Sequence, residues 1–224
     1  MDEIAPYLQG AKDPVALYSF HQVQGRGQYG NSWESQKGSS LAYSLGIPEN
    51  LVSLSPELFN YHTAIVLREF LANLTSIPVE IKWPNDLIMR GKKVGGILIE
   101  KQKHSDDFYF VIGFGMNVAE RSFGQIVKAG SLYSQTGHLF DLDFITTELT
   151  RFLYHHLLEL KKEDEVLELF NQALFRKDKI SVFEKGGTRQ NGIIRYADAS
   201  GMLHVELEEE GLKAFYHKQI QLLY

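Results

Sequence analysis

The chain has 224 residues, no cysteine and a formal net charge of −5. This length suits one large domain, or one domain with a small appendage. The lack of cysteine excludes disulfides, zinc–thiolate sites and cysteine nucleophiles, and the negative charge argues against a general nucleic-acid-binding surface. The first residues form no leader peptide pattern and apolar runs are short, so we expect a cytoplasmic protein without a membrane span.

Two strands and a long helix are predicted in the first third of the chain. The β-branched and aromatic segment 15–20 predicts a strand, and 41–45 predicts a second one. Ser55 supplies an N-cap hydroxyl and Pro56 suits the first helical position. The apolar pattern that follows predicts a well-buried helix over 55–74.

The middle of the chain is predicted to be rich in strands. Apolar segments at 79–83, 94–101 and 108–118 are separated by turn signals at 89–92 and 104–107. Because the connections are short, we expect these strands to pair antiparallel.

The last third predicts two helices and then a small β-structure. Apolar residues at helical spacing indicate a helix over 143–162 and a shorter one around Val166 and Phe170. Four short strands are then predicted at 180–184, 190–196, 202–208 and 213–216. We expect an α+β fold with a mixed, largely antiparallel sheet over 1–178 and a small β-barrel over 179–224.

The segment from Gly25 to Gly30 matches G-x-G-x-x-G. A dinucleotide fold requires a helix directly after this motif, and the residues that follow are poor helix formers. A Walker A loop requires lysine where Asn31 stands. Arg26 within the glycines indicates an anion or phosphate loop, although a turn without a ligand fits the composition equally well.

Two further motifs carry polar residues at a strand end or glycines within a strand. Lys82 could meet a phosphate and Asp86 could hold Mg²⁺, although Pro-Asn-Asp is also an ordinary turn. Gly95 and Gly96 follow Lys93 within an apolar strand, which indicates that a ligand or another backbone approaches there. An exposed hairpin lysine beside a bulge is the simpler alternative.

The order and spacing of these motifs are more specific than any one of them. Gln22 precedes Gly-Arg-Gly, Lys-Trp-Pro-Asn-Asp begins at Lys82, Lys93 precedes a glycine-rich strand, and Gly-x-Gly-x-Asn ends at Asn117. The chain resembles biotin protein ligases from about Leu17 to its end. The resemblance implies a catalytic sheet related to class II aminoacyl-tRNA synthetases and an SH3-like carboxy-terminal barrel.

The resemblance also implies a reaction and a site. Such enzymes form biotinyl-5′-AMP from biotin and ATP with Mg²⁺, then transfer biotin to a lysine of a carboxylase carrier domain, as monomers or as sheet-edge homodimers. Arg26, Lys82, Asp86 and Lys93 would be catalytic, and Asp86 would also meet the metal. Biotin would be bound by Gln22, Arg26, Gly27, Gln28, Lys93, Gly95 and Gly96. ATP would be bound by Arg26, Trp33, Lys82, Asn85, Asp86 and Asn117.

Two departures from the family pattern stand out. Many members carry a second arginine where this chain has Gln28, so we expect weaker retention of the adenylate. The family has a Ser-Thr-Asn segment that contacts biotin, and its serine and threonine are absent here, because Met1 stands about where that segment should end. Two other functions remain open: a lipoate or octanoyl transferase, whose motifs differ, and a biotin-binding module that has lost catalysis. A ligase that also regulates transcription would need a further amino-terminal domain.

Overall fold

A computed structural model describes residues 1–27, 32–33 and 37–224. The helices are α1 (Ala5–Leu8), α2 (Pro56–Thr75), α3 (Leu132–Thr136), α4 (Leu142–His156) and α5 (Glu163–Gln172), with 3-10 turns at Asp2–Ile4 and Glu49–Leu51. The strands are β1 (Val15–Ser19), β2 (Gly25–Arg26), β3 (Ser32–Trp33), β4 (Ser40–Pro48), β5 (Val79–Lys82), β6 (Asp86–Met89), β7 (Lys92–His104), β8 (Asp107–Asn117), β9 (Ile180–Lys185), β10 (Thr188–Ala197), β11 (Leu203–Leu207), β12 (Gly211–Phe215) and β13 (Gln221–Leu223). Within this description, no helix combines the length and apolar character needed to cross a bilayer.

The larger sheet has six strands in the order β1-β4-β8-β7-β6-β5, and every pairing in it is antiparallel. Strands β4 and β8 pair from Ser40 with Asn117 to Pro48 with Tyr109. The hairpin of β7 and β8 turns at His104 and Asp107, as the turn signals predicted. The α+β class and the antiparallel pairing are therefore confirmed.

The long helix α2 forms where its start signal predicts. The Ser55 hydroxyl accepts a hydrogen bond from the Leu58 backbone N–H at 3.2 Å, and Pro56 occupies the first turn. The helix ends at Ser76, which has φ 55° in the left-handed region. Its middle is buried almost all round, so α2 acts as the central helix against which α4 and α5 pack.

The predicted helix over 143–162 is too long, because α4 ends at His156 and α5 begins only at Glu163. The segment between them contains no proline or glycine to mark the break. Leu157 is fully buried, and its carbonyl lies 3.1 Å from Nε2 of the buried His62 on α2. A tertiary contact therefore replaces the continuation of the helix that the apolar pattern predicted.

Besides the β2–β3 hairpin, the prediction missed two short strands. Strand β6 follows the turn after β5 and pairs Asp86 with Lys82. Strand β13 pairs with β9 near the end of the chain. Both have four residues or fewer, too few to show an alternating pattern that distinguishes a strand from a loop.

The smaller sheet has five strands in the order β12-β11-β10-β9-β13 and begins at Ile180. It fits the small SH3-like unit expected there. Buried side chains of this sheet, such as Phe183 and Val205, belong to the same contiguous hydrophobic cluster as those of the larger sheet, such as Leu41. The division into domains at 1–178 and 179–224 stays a prediction.

Candidate functional site

A cleft of about 500 Å³ lies beside β4, β7 and β8 and is bordered by the amino-terminal residues and the turn before β6. Most of the predicted site residues meet there. The predicted residues that line the cleft are Gln22, Arg26, Gly27, Trp33, Lys82, Asn85, Asp86, Lys93 and Gly96. Gly95 and Asn117 are not part of its lining, and Gln28 lies outside the described residues.

The turn from β5 to β6 fixes the first cluster of polar groups. The Asn85 N–H donates to the Lys82 carbonyl at 3.1 Å. Asn85 is buried, its side-chain amide donates to the Ile97 carbonyl, and its own carbonyl accepts from the Ile97 N–H at 3.1 Å. Asn85 therefore fastens the turn to β7, and this contact positions the charged residues at either end of the turn.

Asp86 lies between two lysine side chains. Its Oδ1 is 2.6 Å from Nζ of Lys93, and its Oδ2 is 3.3 Å from Nζ of Lys82. The three side chains are between 17% and 33% exposed. Two positive charges around one negative charge leave this end of the cleft with a net positive charge, which suits an anionic ligand.

Trp33 explains why glycines occur in β7 and β8. A Cβ on Gly96 would lie 3.2 Å from the indole Cζ3, and one on Gly115 would lie 2.6 Å from Cε2. The approaching group at this point is thus an aromatic side chain. Nζ of Lys93 also lies 5.3 Å from the indole ring centroid. The indole Nε1 is buried and has no hydrogen-bond partner within the described part of the chain.

Gly95 has a different role from Gly96. A Cβ there would lie 2.9 Å from Cε2 of Phe114 and 3.2 Å from the Gly115 carbonyl oxygen. The close packing of β7 on β8 accounts for this glycine, whereas Gly96 lines the cleft.

Arg26 is held less tightly than the lysines. It lies on β2, which forms a two-residue hairpin with β3 by pairing Arg26 with Ser32. Its Nη2 is 2.5 Å from Oδ1 of Asp2 and 3.9 Å from Oε2 of Glu100. The Arg26 and Asp2 side chains are 51% and 73% exposed, so this ion pair is largely in water.

Asn117 ends β8 and is buried close to the cleft strands. Its Nδ2 donates to the Gly130 carbonyl at 3.0 Å. Its Oδ1 is buried without a hydrogen-bond partner among the described residues. The predicted contact of Asn117 with adenine stays a prediction.

The sequence prediction missed the groups that the chain termini bring to the cleft. Met1, Asp2 and Glu3 line it on one side, and His217 of the segment after β12 lines it on another. The His217 ring lies 5.7 Å from the Trp83 ring at 63°. Burial, and then the charge of Lys82, lower the pKa of His217. No motif surrounds these residues in the sequence, so only the folded arrangement shows them.

The sequence is similar to those of known biotin and lipoate protein ligases. The sequence model of the biotin/lipoate A/B protein ligase family matches residues 15–117. The biotin--[acetyl-CoA-carboxylase] ligase of Mycobacterium tuberculosis is 26% identical over 215 residues, covering 92% of this chain and 79% of the relative. The bifunctional ligase/repressor BirA of Escherichia coli is 32% identical over 221 residues, covering 90% of this chain and 64% of the relative.

Solved structures agree on the fold. A biotin protein ligase from Aquifex aeolicus, in complex with biotin and ATP, superposes with a TM-score of 0.76 at 24% identity. The superposition covers 93% of this chain and 88% of that one. The chain spans less than two thirds of the length of several of the curated relatives that it matches.

Proposed function

Since this chain belongs to the biotin/lipoate A/B protein ligase family, we propose that it is a biotin protein ligase. It forms biotinyl-5′-AMP from biotin and ATP, and then transfers biotin to a lysine of a biotin carboxyl carrier domain. The observation that supports this most directly is the convergence of Arg26, Lys82 and Lys93 on one cleft with Asp86 among them.

The first step brings two anions together. A carboxylate oxygen of biotin attacks the α-phosphorus of ATP, an oxygen–phosphorus bond forms, and pyrophosphate leaves. Preorganised cations reduce the repulsion between these groups and stabilise the charge that develops. Lys82 and Lys93 serve the phosphates and the reacting carboxylate, while Arg26 holds the adenylate from the opposite side.

Trp33 and Asn117 serve the nucleotide. The indole of Trp33 packs over Gly96 and Gly115, and it supplies an apolar wall beside the nucleotide. The unpartnered Oδ1 of Asn117 suits the amino group of adenine, since an amide oxygen accepts such a hydrogen bond.

The second step needs a neutral amine. The carrier lysine attacks the carbonyl carbon of the mixed anhydride, an amide forms, AMP leaves and the amine loses a proton. Asp86 orients this amine, and its position in the cleft lining beside both lysines supports this role. No covalent enzyme intermediate is required, which agrees with a chain that has no cysteine.

The residues also fit a magnesium ion that enters with ATP. Mg²⁺ is usually held by one or two carboxylates together with substrate phosphates, and Asp86 offers such a carboxylate at the phosphate end. When bound, the ion supplies further neutralisation of phosphate charge. Lys82 and Lys93 then bind the phosphates in addition to their ion pairs with Asp86.

The test is adenylate formation with the purified chain. Pyrophosphate release that requires both biotin and ATP, followed by biotinylation of a carrier domain, is the expected result. Lipoate in place of biotin distinguishes the lipoate or octanoyl transferase, and biotin binding without pyrophosphate release would identify a non-catalytic module. Either outcome would overturn the proposed function.

A further inference from the structure

Tyr224 connects two lysines that come from different parts of the fold. Its ring centroid lies 5.9 Å from Nζ of Lys82, at the end of β5, and 4.5 Å from Nζ of Lys128. Lys128 belongs to the connection between β8 and α3. The carboxy-terminal sheet thus brings an aromatic ring to two cations, one of which, Lys82, lines the cleft.

Backbone and ring contacts fix all three groups. The Lys128 carbonyl accepts from the Lys93 N–H at 2.8 Å. The Tyr224 ring packs edge-on to Phe175, with 5.0 Å between centroids and an angle of 69°. The Phe175 N–H in turn donates to the Ile81 carbonyl at 2.8 Å, one residue before Lys82. Both lysines and the ring are therefore tied to the edge of the larger sheet.

The electrostatics favour a role for the ring rather than for its hydroxyl. Burial, and then the neighbouring charge of Lys82, lower the pKa of Lys128, so Lys82 disfavours the charged form of Lys128. Burial, and then Asp86, raise the pKa of the Tyr224 phenol to about 12, so the side chain stays neutral. The face of an aromatic ring carries negative potential and attracts ammonium groups. The ring therefore offsets the repulsion between the lysines.

We propose that Tyr224 is a positioning residue for ATP: its ring holds Lys82 and Lys128 together as a paired site for the β- and γ-phosphates. This inference rests on the proposed function and adds two residues, Tyr224 and Lys128, to the phosphate end. The same ring contacts both ammonium groups, and two linked phosphates carry more negative charge for such a pair to bind than the single carboxylate of biotin does. Tyr224 and Lys128 therefore act on ATP binding and not on biotin binding.

The experiment compares Tyr224→Leu with Tyr224→Phe in pyrophosphate release, with ATP and biotin varied separately. Tyr224→Leu removes the aromatic face, and we expect the KM for ATP to rise about tenfold. Tyr224→Phe keeps the ring and should behave as the parent chain. The KM for biotin should be unchanged in both. Tyr196→Leu, a half-exposed tyrosine of β10 in the same sheet, is the matched control and should leave both constants unchanged.

A double-mutant cycle separates positioning from a general loss of structure. Lys128→Ala should raise the KM for ATP, and adding Tyr224→Leu should raise it little further, because the ring acts partly through that lysine. Additive effects, equal loss of ATP and biotin affinity, or a Tyr224→Phe variant as impaired as Tyr224→Leu would overturn the inference. A parent chain that releases no pyrophosphate would overturn the proposed function instead.

Discussion

The two ends of the cleft hold their cations in different ways. Lys82 and Lys93 are 26% and 33% exposed and share one carboxylate, that of Asp86. Arg26 is 51% exposed, and Asp2, the closer of its two acidic partners, is 73% exposed. Water screens exposed ion pairs, and most contribute little. The lysine end is therefore set before the substrates bind, whereas the arginine end can exchange its acidic partners for a ligand.

The sharpest test of this difference is Lys93→Ala. Removing a preorganised cation from the place where charge develops typically costs about 100-fold or more in rate, and we expect that loss in the rate of pyrophosphate release. Lys103→Ala is the control, since Lys103 lies on the same strand with its Nζ 5.8 Å from the Phe108 ring. Equal rates in the two variants would show that the lysine end is not preformed for catalysis.

At the arginine end, Arg26→Gln should have a smaller effect. A hydrogen bond to a charged group contributes about 1.5–3 kcal/mol, and exposure places Arg26 at the lower limit, so adenylate affinity should fall about tenfold. Retention of biotinyl-AMP on the enzyme is the measurement. Arg26→Lys keeps the charge without the planar fork. Its adenylate affinity should lie between those of the parent chain and Arg26→Gln. If Arg26→Gln retained biotinyl-AMP as well as the parent chain does, Arg26 would not be a binding residue of the site.

The sequence could predict the contacts of the cleft that are local in the chain, but not those between distant segments. The motif from Lys82 to Asp86 lies within one turn, so local spacing brings its charges together, whereas the close approach at Gly96 was predicted for a ligand or another backbone and is made by a side chain. The approaching group, Trp33, was not foreseen as the packing partner, because the β2–β3 hairpin brings it there from a distant segment.

Contacts between distant segments were beyond the reach of pattern analysis. His217 reaches the cleft, and Tyr224 reaches Lys82, only because the smaller sheet packs beside the turn before β6. The end of α4 depends in the same way on the contact of Leu157 with the buried His62. Such groups have no periodicity or motif of their own, so their roles appear only in the folded chain.

A cation two residues after Arg26 should strengthen retention of the adenylate. Gln28→Arg supplies the second arginine that the resemblance to biotin protein ligases implies at this position, and the added charge should slow release of biotinyl-AMP. An exposed charge pair contributes up to about 1 kcal/mol, so we expect at most about a fivefold change. Gln28→Glu is the matched control of opposite charge and should accelerate release. Equal release rates in all three proteins would show that charge at this position has no effect on retention.

The smallest expected effect is that of Asp2→Asn. Asp2 is one of two acids, with Glu100, that pair with Arg26 within the described part of the chain, so its carboxylate competes with an anionic ligand. Removing that charge should raise biotin affinity by about twofold at low salt, and the gain should vanish as salt screens the pair. Glu3→Gln removes the same charge from a neighbouring residue that also lines the cleft. If Glu3→Gln gave the same gain in biotin affinity, the overall negative charge beside the cleft would explain it. The idea that a ligand replaces Asp2 at Arg26 would then be wrong.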